Sequence, residues 1–241
     1  MSTFTAPTAI GARKDWPAAL RSVRRLLADA NDTAEVFRIM RALNTSSNRA
    51  GYERLLSTPE GGRIAYQRVE LAERLTDPAY LRRFPSRSLG DAYRQFLERT
   101  GYTADGLAQV SRSDDLVLDA EHPHAWFGRR TRDIHDIWHV LTGYRADDPL
   151  GEACLVAFSF AQTRGLGWAL IAIGAMIKAW RTPGGRPAVR AIWEGYRNGR
   201  RAAWLLGEDY EQLLMQPIDL VRARLRISPA LAYRAFMPIG F

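Results

Sequence analysis

Apolar residues recur at a helical spacing along nearly the whole chain, a pattern that predicts amphipathic helices with one buried face. No stretch shows sustained alternation of apolar and polar residues, and residues 116–118 are the only short candidate for a strand. We therefore predict an all-α fold, a single-domain multi-helix bundle. The predicted helical segments are residues 16–27, 33–43, 59–75, 89–100, 149–163, 165–180, 187–206 and 217–225. A further short helix is predicted to begin at residues 77–78.

One domain accounts for the 241 residues, because a chain of this length can bury a sizeable core and no linker interrupts it. We expect residues 1–14 to form a flexible tail and residues 15–241 to form one helical domain. The single cysteine, Cys154, has apolar neighbours, so we expect it in the core. The longest apolar run, residues 165–177, falls short of the ~20 residues that span a membrane, and the N-terminus lacks a secretory signal.

The formal net charge of +8 comes almost entirely from arginine, since only Lys14 and Lys178 are lysines. The arginines are scattered along the chain, so we do not expect nucleic acid as a partner. A membrane surface with anionic headgroups is compatible with the charge. In the segment 187–206, arginines such as Arg200 lie beside aromatic residues. We interpret them as a solvated face, with contact to lipid headgroups or to a polar ligand tail as the alternative.

The candidate chemistry lies in a five-residue stretch from His135 to His139 that also contains Asp136. On a helix, Asp136 lies ~100° and His139 ~40° around the axis from His135, so the three side chains project from one side. Glu152 then arrives from a second helix. Gly143 and residues 144–149 supply the break between the two helices, with Asp148 as N-cap and a proline at the first helical position.

Imidazole and carboxylate groups suit Zn²⁺, Fe²⁺ or Mn²⁺, and so few protein ligands leave coordination positions for water or substrate. One alternative is a histidine–carboxylate network that satisfies buried polar groups. Another is a nucleotide phosphohydrolase of the HD type, which requires a further upstream histidine; His122 and His124 lie too close to the motif for that role. We interpret Asp114 and Asp115 as a turn or helix cap rather than as half of a diphosphate site.

Longer segments carry a resemblance to a known family. Residues 130–143 read Arg-Thr-Arg-Asp-Ile-His-Asp-Ile-Trp-His-Val-Leu-Thr-Gly, and Leu-Gly-Glu follows at 150–152. Together with segments 59–64, 75–77, 89–96, 196–202, 209–211 and 217–222, which occur in the same order, they resemble the coenzyme Q biosynthesis protein 4 family. The resemblance spans roughly residues 20–227. It implies four metal ligands, His135, Asp136, His139 and Glu152.

The chain departs from the family pattern at two points. Twelve residues separate His139 from Glu152, where the family has eleven, and we expect the extra residue to lie in the turn at 144–149. The geometry of that turn decides whether Glu152 reaches the metal. Trp138 stands where many members carry a smaller aliphatic residue, and it could reshape the wall of a pocket.

The resemblance implies an all-helical homodimer that acts in ubiquinone biosynthesis at a membrane surface, alongside other proteins of that pathway. The implied reaction is a metal-dependent oxidative decarboxylation, in which a hydroxyl replaces the C1 carboxyl of a polyprenylated 4-hydroxybenzoate-derived head group. The metal is expected to be zinc, with iron or manganese as alternatives, and the oxidation requires an electron acceptor. A scaffold that binds the lipid without catalysis is the competing hypothesis. The expected location is the cytoplasmic face of a bacterial inner membrane, or the mitochondrial inner membrane in a eukaryote.

A polyprenyl tail requires a groove lined by aliphatic and aromatic side chains. The predicted helix at 165–180 is the best candidate for one wall, because its glycines permit close approach and its apolar residues lie all around it. An ordinary core helix is the alternative. The candidate groove residues are Trp138, Trp168, Ile171, Met176 and Arg200. No Gly-rich dinucleotide fingerprint accompanies a strand, so a flavin or nicotinamide cofactor is not expected.

Overall fold

The computed structural model describes residues 14–29, 32–106 and 122–236, and every regular element within them is a helix. Two residues of this part of the chain, Ser88 and Pro217, form an isolated β-bridge. The prediction of an all-α single domain is confirmed. The helices are α1 (Trp16–Ala28), α2 (Thr33–Leu43), α3 (Thr45–Leu56), α4 (Pro59–Gln67), α5 (Leu71–Leu75), α6 (Pro78–Leu81), α7 (Leu89–Thr100), α8 (Pro123–Asp133), α9 (His135–Thr142), α10 (Pro149–Thr163), α11 (Leu166–Arg181), α12 (Arg186–Arg201), a 3₁₀ turn (Leu205–Gly207), α13 (Tyr210–Leu214), α14 (Ile218–Arg224) and α15 (Leu231–Phe236).

Side-chain caps explain why several helices begin where the sequence predicts. The hydroxyl of Ser88 accepts a hydrogen bond from the backbone N–H of Asp91 at the start of α7. The carboxylate of Asp148 accepts from two backbone N–H groups at the start of α10. Each cap satisfies donors that the first helical turn leaves without a partner. The bounds of α7 and α10 therefore match the prediction.

The predicted segment 59–75 is two helices rather than one. Arg68 adopts a left-handed backbone conformation with φ 45° and ends α4. The indole N–H of Trp126 donates to the carbonyl oxygen of Val69, and Arg129 pairs with Glu70. These contacts come from α8, so a partner distant in sequence stabilises the break.

The predicted helix at 187–206 ends five residues early, at Arg201. The side chain of Gln162 on α10 donates to the carbonyl oxygens of Gly199 and Ala203 and accepts from the backbone N–H of Leu205. A buried amide thus replaces the helical hydrogen bonds that would have continued α12.

The core of the bundle is built around α10, which packs against α11 and α12. Cys154 is fully buried on this helix, as predicted. Gly195 lets α12 approach closely, because a Cβ atom there would lie 2.3 Å from the carbonyl oxygen of Cys154. The first turn of α10 carries Glu152, so this packing also holds one predicted ligand.

Some predictions concern residues outside the described part of the chain: residues 1–13 of the expected tail, Asp114 and Asp115, and the strand candidate at 116–118. Residues 237–241 also lie outside it. In the residues that are described, none of the helices has the length and apolar character needed to cross a membrane.

Candidate metal centre

The two motif histidines lie one turn apart on α9. The segment 130–143 is not one continuous helix, because α8 ends at Asp133 and α9 begins at His135. The imidazole rings of His135 and His139 are perpendicular, with centroids 5.1 Å apart. Gly143 ends α9 with φ 77°, a conformation that glycine adopts without strain, and its N–H donates to the carbonyl oxygen of His139.

Glu152 reaches both histidines from the first turn of α10. One carboxylate oxygen lies 3.1 Å from Nε2 of His139, and the other lies 3.7 Å from Nε2 of His135. One ligand atom from each of the three residues lies within 4.8 Å of the other two. Glu152 therefore reaches both histidines across the connection between α9 and α10, with twelve residues between His139 and Glu152.

A backbone carbonyl orients the ring of His139. Its Nδ1 lies 2.8 Å from the carbonyl oxygen of Tyr144, which can only accept, so Nδ1 carries the proton and donates. In the neutral ring, the lone pair available to a metal is then on Nε2, the nitrogen that faces Glu152. The ring also stacks on Phe96, with 6.2 Å between centroids. His139 is 2 % exposed, so its orientation is set by packing and by this hydrogen bond.

Glu152 and His139 shift each other's pKa values in opposite directions. Burial acts to raise the pKa of Glu152, but the charge of His139 and the hydrogen bonds from both histidines outweigh it, so the pKa is held well below its usual value. Burial acts to lower the pKa of His139, but the Glu152 carboxylate and the Tyr144 carbonyl raise it. The carboxylate is ionised and faces two imidazoles, the state in which it can accept a cation.

Asp136 does not belong to this group of mutually close ligand atoms. It is 8 % exposed on α9, and burial raises the pKa of its carboxyl, while His135 and His139 act to lower it. The structure thus brings three of the four predicted ligands together, and ligation by Asp136 stays a prediction.

Among the groove candidates, Trp168 contacts the centre directly. Its indole stacks on His135, with 5.6 Å between centroids and 13° between planes. Trp138 lies in the core at 1 % exposure and donates its indole N–H to the hydroxyl of Tyr210. Ile171 is buried on α11, Met176 on the same helix is half-buried against the core, and Arg200 is exposed on α12.

The other two histidines lie at the start of α8. His122 and His124 contact each other, with 4.9 Å between ring centroids, and His124 also contacts Tyr52 on α3. They do not join the group formed by His135, His139 and Glu152. The arrangement does not supply the additional upstream histidine that a phosphohydrolase of the HD type requires.

Two residues that support the centre were not predicted from the sequence. Tyr144 holds His139 through its backbone carbonyl, which any residue would carry, so no sequence signal marks it. Tyr233 comes from the C-terminal helix α15 and donates to Asp148, the cap of α10. The apolar residues of the segment 231–236 do not indicate which part of the fold the segment contacts.

The fold and this centre together define an all-helical protein with a two-histidine, one-carboxylate group between consecutive helices. Residues 16–230 match the family model described as coenzyme Q (ubiquinone) biosynthesis protein Coq4. The chain belongs to this family.

Relatives from fungi and animals agree with this assignment. The chain is 33 % identical over 184 residues to ubiquinone biosynthesis protein coq4, mitochondrial, of Pyrenophora tritici-repentis, covering 73 % of this chain and 58 % of the relative. It is 31 % identical over 180 residues to the mitochondrial COQ4 homolog of Rattus norvegicus, covering 73 % of this chain and 64 % of the relative. The chain thus spans less than two thirds of the length of these curated relatives.

A solved structure supports the fold. The crystal structure of a Nostoc punctiforme PCC 73102 protein superposes with a TM-score of 0.64 at 23 % identity, covering 90 % of this chain and all of the other. The arrangement of helices is therefore one that has been observed by experiment.

Proposed function

We propose that this chain acts in ubiquinone biosynthesis as a metal-dependent decarboxylase. Its substrate would be a polyprenylated 4-hydroxybenzoate-derived head group, from which the C1 carboxyl is removed and replaced by a hydroxyl. Family membership supports the pathway. The observation that carries the chemistry is the convergence of His135, His139 and Glu152 on one point.

The donor set fits a divalent cation. Two imidazole nitrogens and a carboxylate oxygen suit zinc, and they also suit iron or manganese. Three protein ligands leave positions for substrate, and 42 % of the Glu152 side-chain surface is exposed, so a ligand can approach from outside. We propose that His135, His139 and Glu152 hold the metal, with Asp136 as the fourth ligand that the family resemblance implies.

The metal would supply positive charge to a carboxylate or phenolate oxygen of the substrate and so stabilise the charge that develops as carbon dioxide leaves. Neighbouring residues hold the two histidine rings in place for this step: the Tyr144 carbonyl orients His139, and Trp168 stacks on His135. Replacement of a carboxyl by a hydroxyl is a two-electron oxidation of the ring carbon. The reaction therefore also requires a two-electron oxidant, which we propose to be dioxygen: with water as the source of the hydroxyl oxygen, dioxygen would take up the two electrons and two protons to give hydrogen peroxide.

We propose that the isoprenoid tail lies along α11, beginning at Trp168 where this helix meets the centre. On the same helix Ile171 is buried and Met176 packs half-buried against the core, and Trp138 is buried in the core beside the histidines on α9. In this arrangement Trp168 contacts the substrate, whereas Trp138 and Ile171 support the wall from behind. Arg200 lies on α12 and is better placed to meet a membrane surface than the tail.

Association with an anionic membrane surface is supported by the exposed face of α12. Arg190, Arg197 and Arg200 are exposed there, and no carboxylate partner for them occurs in the described part of the chain. Trp193 on the same helix is 52 % exposed. Arginine beside exposed tryptophan is the composition that binds headgroups. We propose a peripheral location at the bacterial inner membrane or the mitochondrial inner membrane, as a homodimer and beside other proteins of the pathway.

The test is restoration of ubiquinone synthesis in cells that lack their own copy of this protein. We expect Glu152→Gln and His139→Ala to abolish restoration while remaining folded, and His122→Ala to restore it as well as the unchanged chain. Accumulation of the carboxylated precursor with the first two variants would support catalysis. Normal ubiquinone with those variants would contradict the enzyme proposal and favour the lipid-binding scaffold.

A further inference from the structure

The hydroxyl of Tyr233 joins the two ends of the turn that carries the chain from α9 to α10. It accepts a hydrogen bond from the backbone N–H of Arg145 at 3.4 Å and donates to Oδ2 of Asp148 at 2.8 Å. Tyr233 lies 88 residues beyond Arg145, on the C-terminal helix α15. One hydroxyl thus spans residues 145–148 of the connection between His139 and Glu152.

The residue that receives this hydrogen bond sets the start of α10. Oδ1 and Oδ2 of Asp148 accept from the backbone N–H groups of Leu150 and Gly151, and its carbonyl accepts from the N–H of Glu152. A displacement of Asp148 therefore displaces the first turn of the helix. Because Glu152 is in that turn, its carboxylate moves with the cap.

The ring of Tyr233 also supports the histidine side of the centre. It packs edge-on against Tyr144, with 5.5 Å between ring centroids, and the Tyr144 carbonyl orients His139. Gly151 lies so close that a Cβ atom there would be 2.2 Å from the carbonyl oxygen of Arg145 and 2.9 Å from the Tyr233 hydroxyl. The turn, the cap and Tyr233 are consequently packed as one unit.

The helix that carries Tyr233 is itself held in place. The carboxylate of Glu194 on α12 accepts from the N–H of Ala232, and the amide of Asn198 donates to the carbonyl oxygen of Pro229. Tyr233 is 2 % exposed. Burial, together with the nearby Asp148, raises the pKa of its hydroxyl above the ordinary range, so the group stays protonated and can donate.

We propose that Tyr233 is a positioning residue for the metal centre: its hydroxyl joins Arg145 to Asp148 and so sets the distance between Glu152 and the two histidines. The proposal rests on the function proposed above, because it assumes that His135, His139 and Glu152 bind a metal ion. It adds a residue of the C-terminal helix to the parts of the fold on which that binding depends.

The test compares Co²⁺ binding by the full chain and by Tyr233→Phe, which removes one oxygen atom and keeps the ring against Tyr144. Co²⁺ is the probe because its visible absorption spectrum reports the number and geometry of its ligands. Loss of a hydrogen bond that orients a ligand costs about 10–100-fold in metal affinity. Because the Tyr233 hydroxyl bonds to the cap Asp148 and not to a ligand itself, we expect Tyr233→Phe to weaken Co²⁺ binding by an amount at the lower end of this range, about tenfold, and to change the absorption spectrum of the bound ion.

Two further variants make the result specific. Glu35→Gln removes the buried charge that pairs with Arg25 on α1 and with Arg38 one turn along α2, and it controls for a general loss of stability. It should bind Co²⁺ as the unchanged chain does. Glu152→Gln removes a proposed ligand and should bind more weakly than Tyr233→Phe.

The outcomes separate the two proposals. Equal Co²⁺ affinity and spectra for the unchanged chain and Glu152→Gln would overturn the metal centre itself. Weakened binding by Glu152→Gln, together with unchanged affinity and spectrum for Tyr233→Phe, would leave the centre intact and overturn the role of Tyr233. A loss by Tyr233→Phe no greater than that by Glu35→Gln would also overturn it, since general destabilisation would then account for the effect.

Discussion

A carboxylate oxygen of Glu152 lies 3.1 Å from Nε2 of His139, across the turn that joins α9 to α10. The turn ends α9 at Gly143, which is in the left-handed region, and begins α10 at the Asp148 cap. Although twelve residues separate the two side chains, they meet. The longer connection has therefore not removed Glu152 from the candidate centre.

Glu152 and Asp136 should differ in their importance for metal binding. We expect Glu152→Gln to weaken Zn²⁺ binding by about 100-fold or more, because a neutral amide replaces an ionised ligand. Asp136→Asn should have a smaller effect, because Asp136 lies outside the group of close ligand atoms. Competition of each purified variant against a chromophoric chelator measures both affinities. An equal or larger loss with Asp136→Asn would show that Asp136 is the stronger ligand.

Gly151 should not tolerate a side chain. A Cβ atom at this position would lie 2.2 Å from the carbonyl oxygen of Arg145, and a backbone oxygen cannot move aside as a flexible side chain can. We expect Gly151→Ala to lower the free energy of unfolding by about 1–3 kcal/mol, the usual cost of overpacking, and to weaken metal binding because the cap moves. Urea denaturation and chelator competition measure the two effects.

Gly62 offers the matched control, since a Cβ atom there meets nothing within 4 Å on helix α4. Alanine is the better helix former, so Gly62→Ala should raise the free energy of unfolding by up to about 1 kcal/mol. If Gly151→Ala proved as stable as Gly62→Ala, the close approach in the turn would not be a real constraint.

Glu35 should contribute stability that depends on pH. It is 1 % exposed, and burial acts to raise its pKa, but hydrogen bonds from Ser22, Arg25 and Arg38 lower it overall. This contribution to stability is complete above the pKa of about 4.3 that the carboxyl has in the unfolded chain. It is lost as the pH falls through the lower pKa of the folded state. Glu35→Gln should therefore cost about 1–2 kcal/mol at neutral pH.

The loss of unfolding free energy expected for Glu35→Gln becomes smaller as the pH falls below about 4, because the protonated carboxyl then resembles the amide. Urea denaturation at several pH values measures it. Glu53→Gln serves as the control, because its pair with Arg49 is exposed on both sides, and exposed pairs contribute about 1 kcal/mol or less. A Glu35→Gln cost that stayed constant from neutral to acid pH would contradict the assignment.

The exposed arginines of α12, Arg190, Arg197 and Arg200, should determine binding to anionic vesicles. Reversing two charges with Arg190→Glu and Arg197→Glu should weaken binding to phosphatidylglycerol vesicles about 30-fold or more, given about 1 kcal/mol for each arginine near the surface. Arg82→Glu and Arg83→Glu, also at exposed positions, change the net charge equally and should have less effect. Vesicle cosedimentation measures both, and equal losses would indicate attraction through net charge alone.

Much of the fold follows from local sequence. The spacing of apolar residues predicts the helices, and Ser88 and Asp148 mark the starts of α7 and α10 through hydrogen bonds to residues two or three positions away. The segment 45–56 shows why the prediction is incomplete. It forms α3, which the spacing of apolar residues does not predict, and only Leu55 of this helix is buried. A helix with so small a buried face leaves little apolar periodicity to detect.

The sequence by itself determined that the chain is helical and that His135 and His139 share one side of a helix, because both properties depend on residues within a few positions of each other. The tertiary structure decided that Glu152 reaches them and that Asp136 lies outside the close group. It also decided that Tyr233, from the end of the chain, holds the turn between them. The reach of Glu152 depends on how the turn places α10 against α9, and the Tyr233 contact depends on the packing of a helix 88 residues beyond Arg145. Local periodicity carries no information about either.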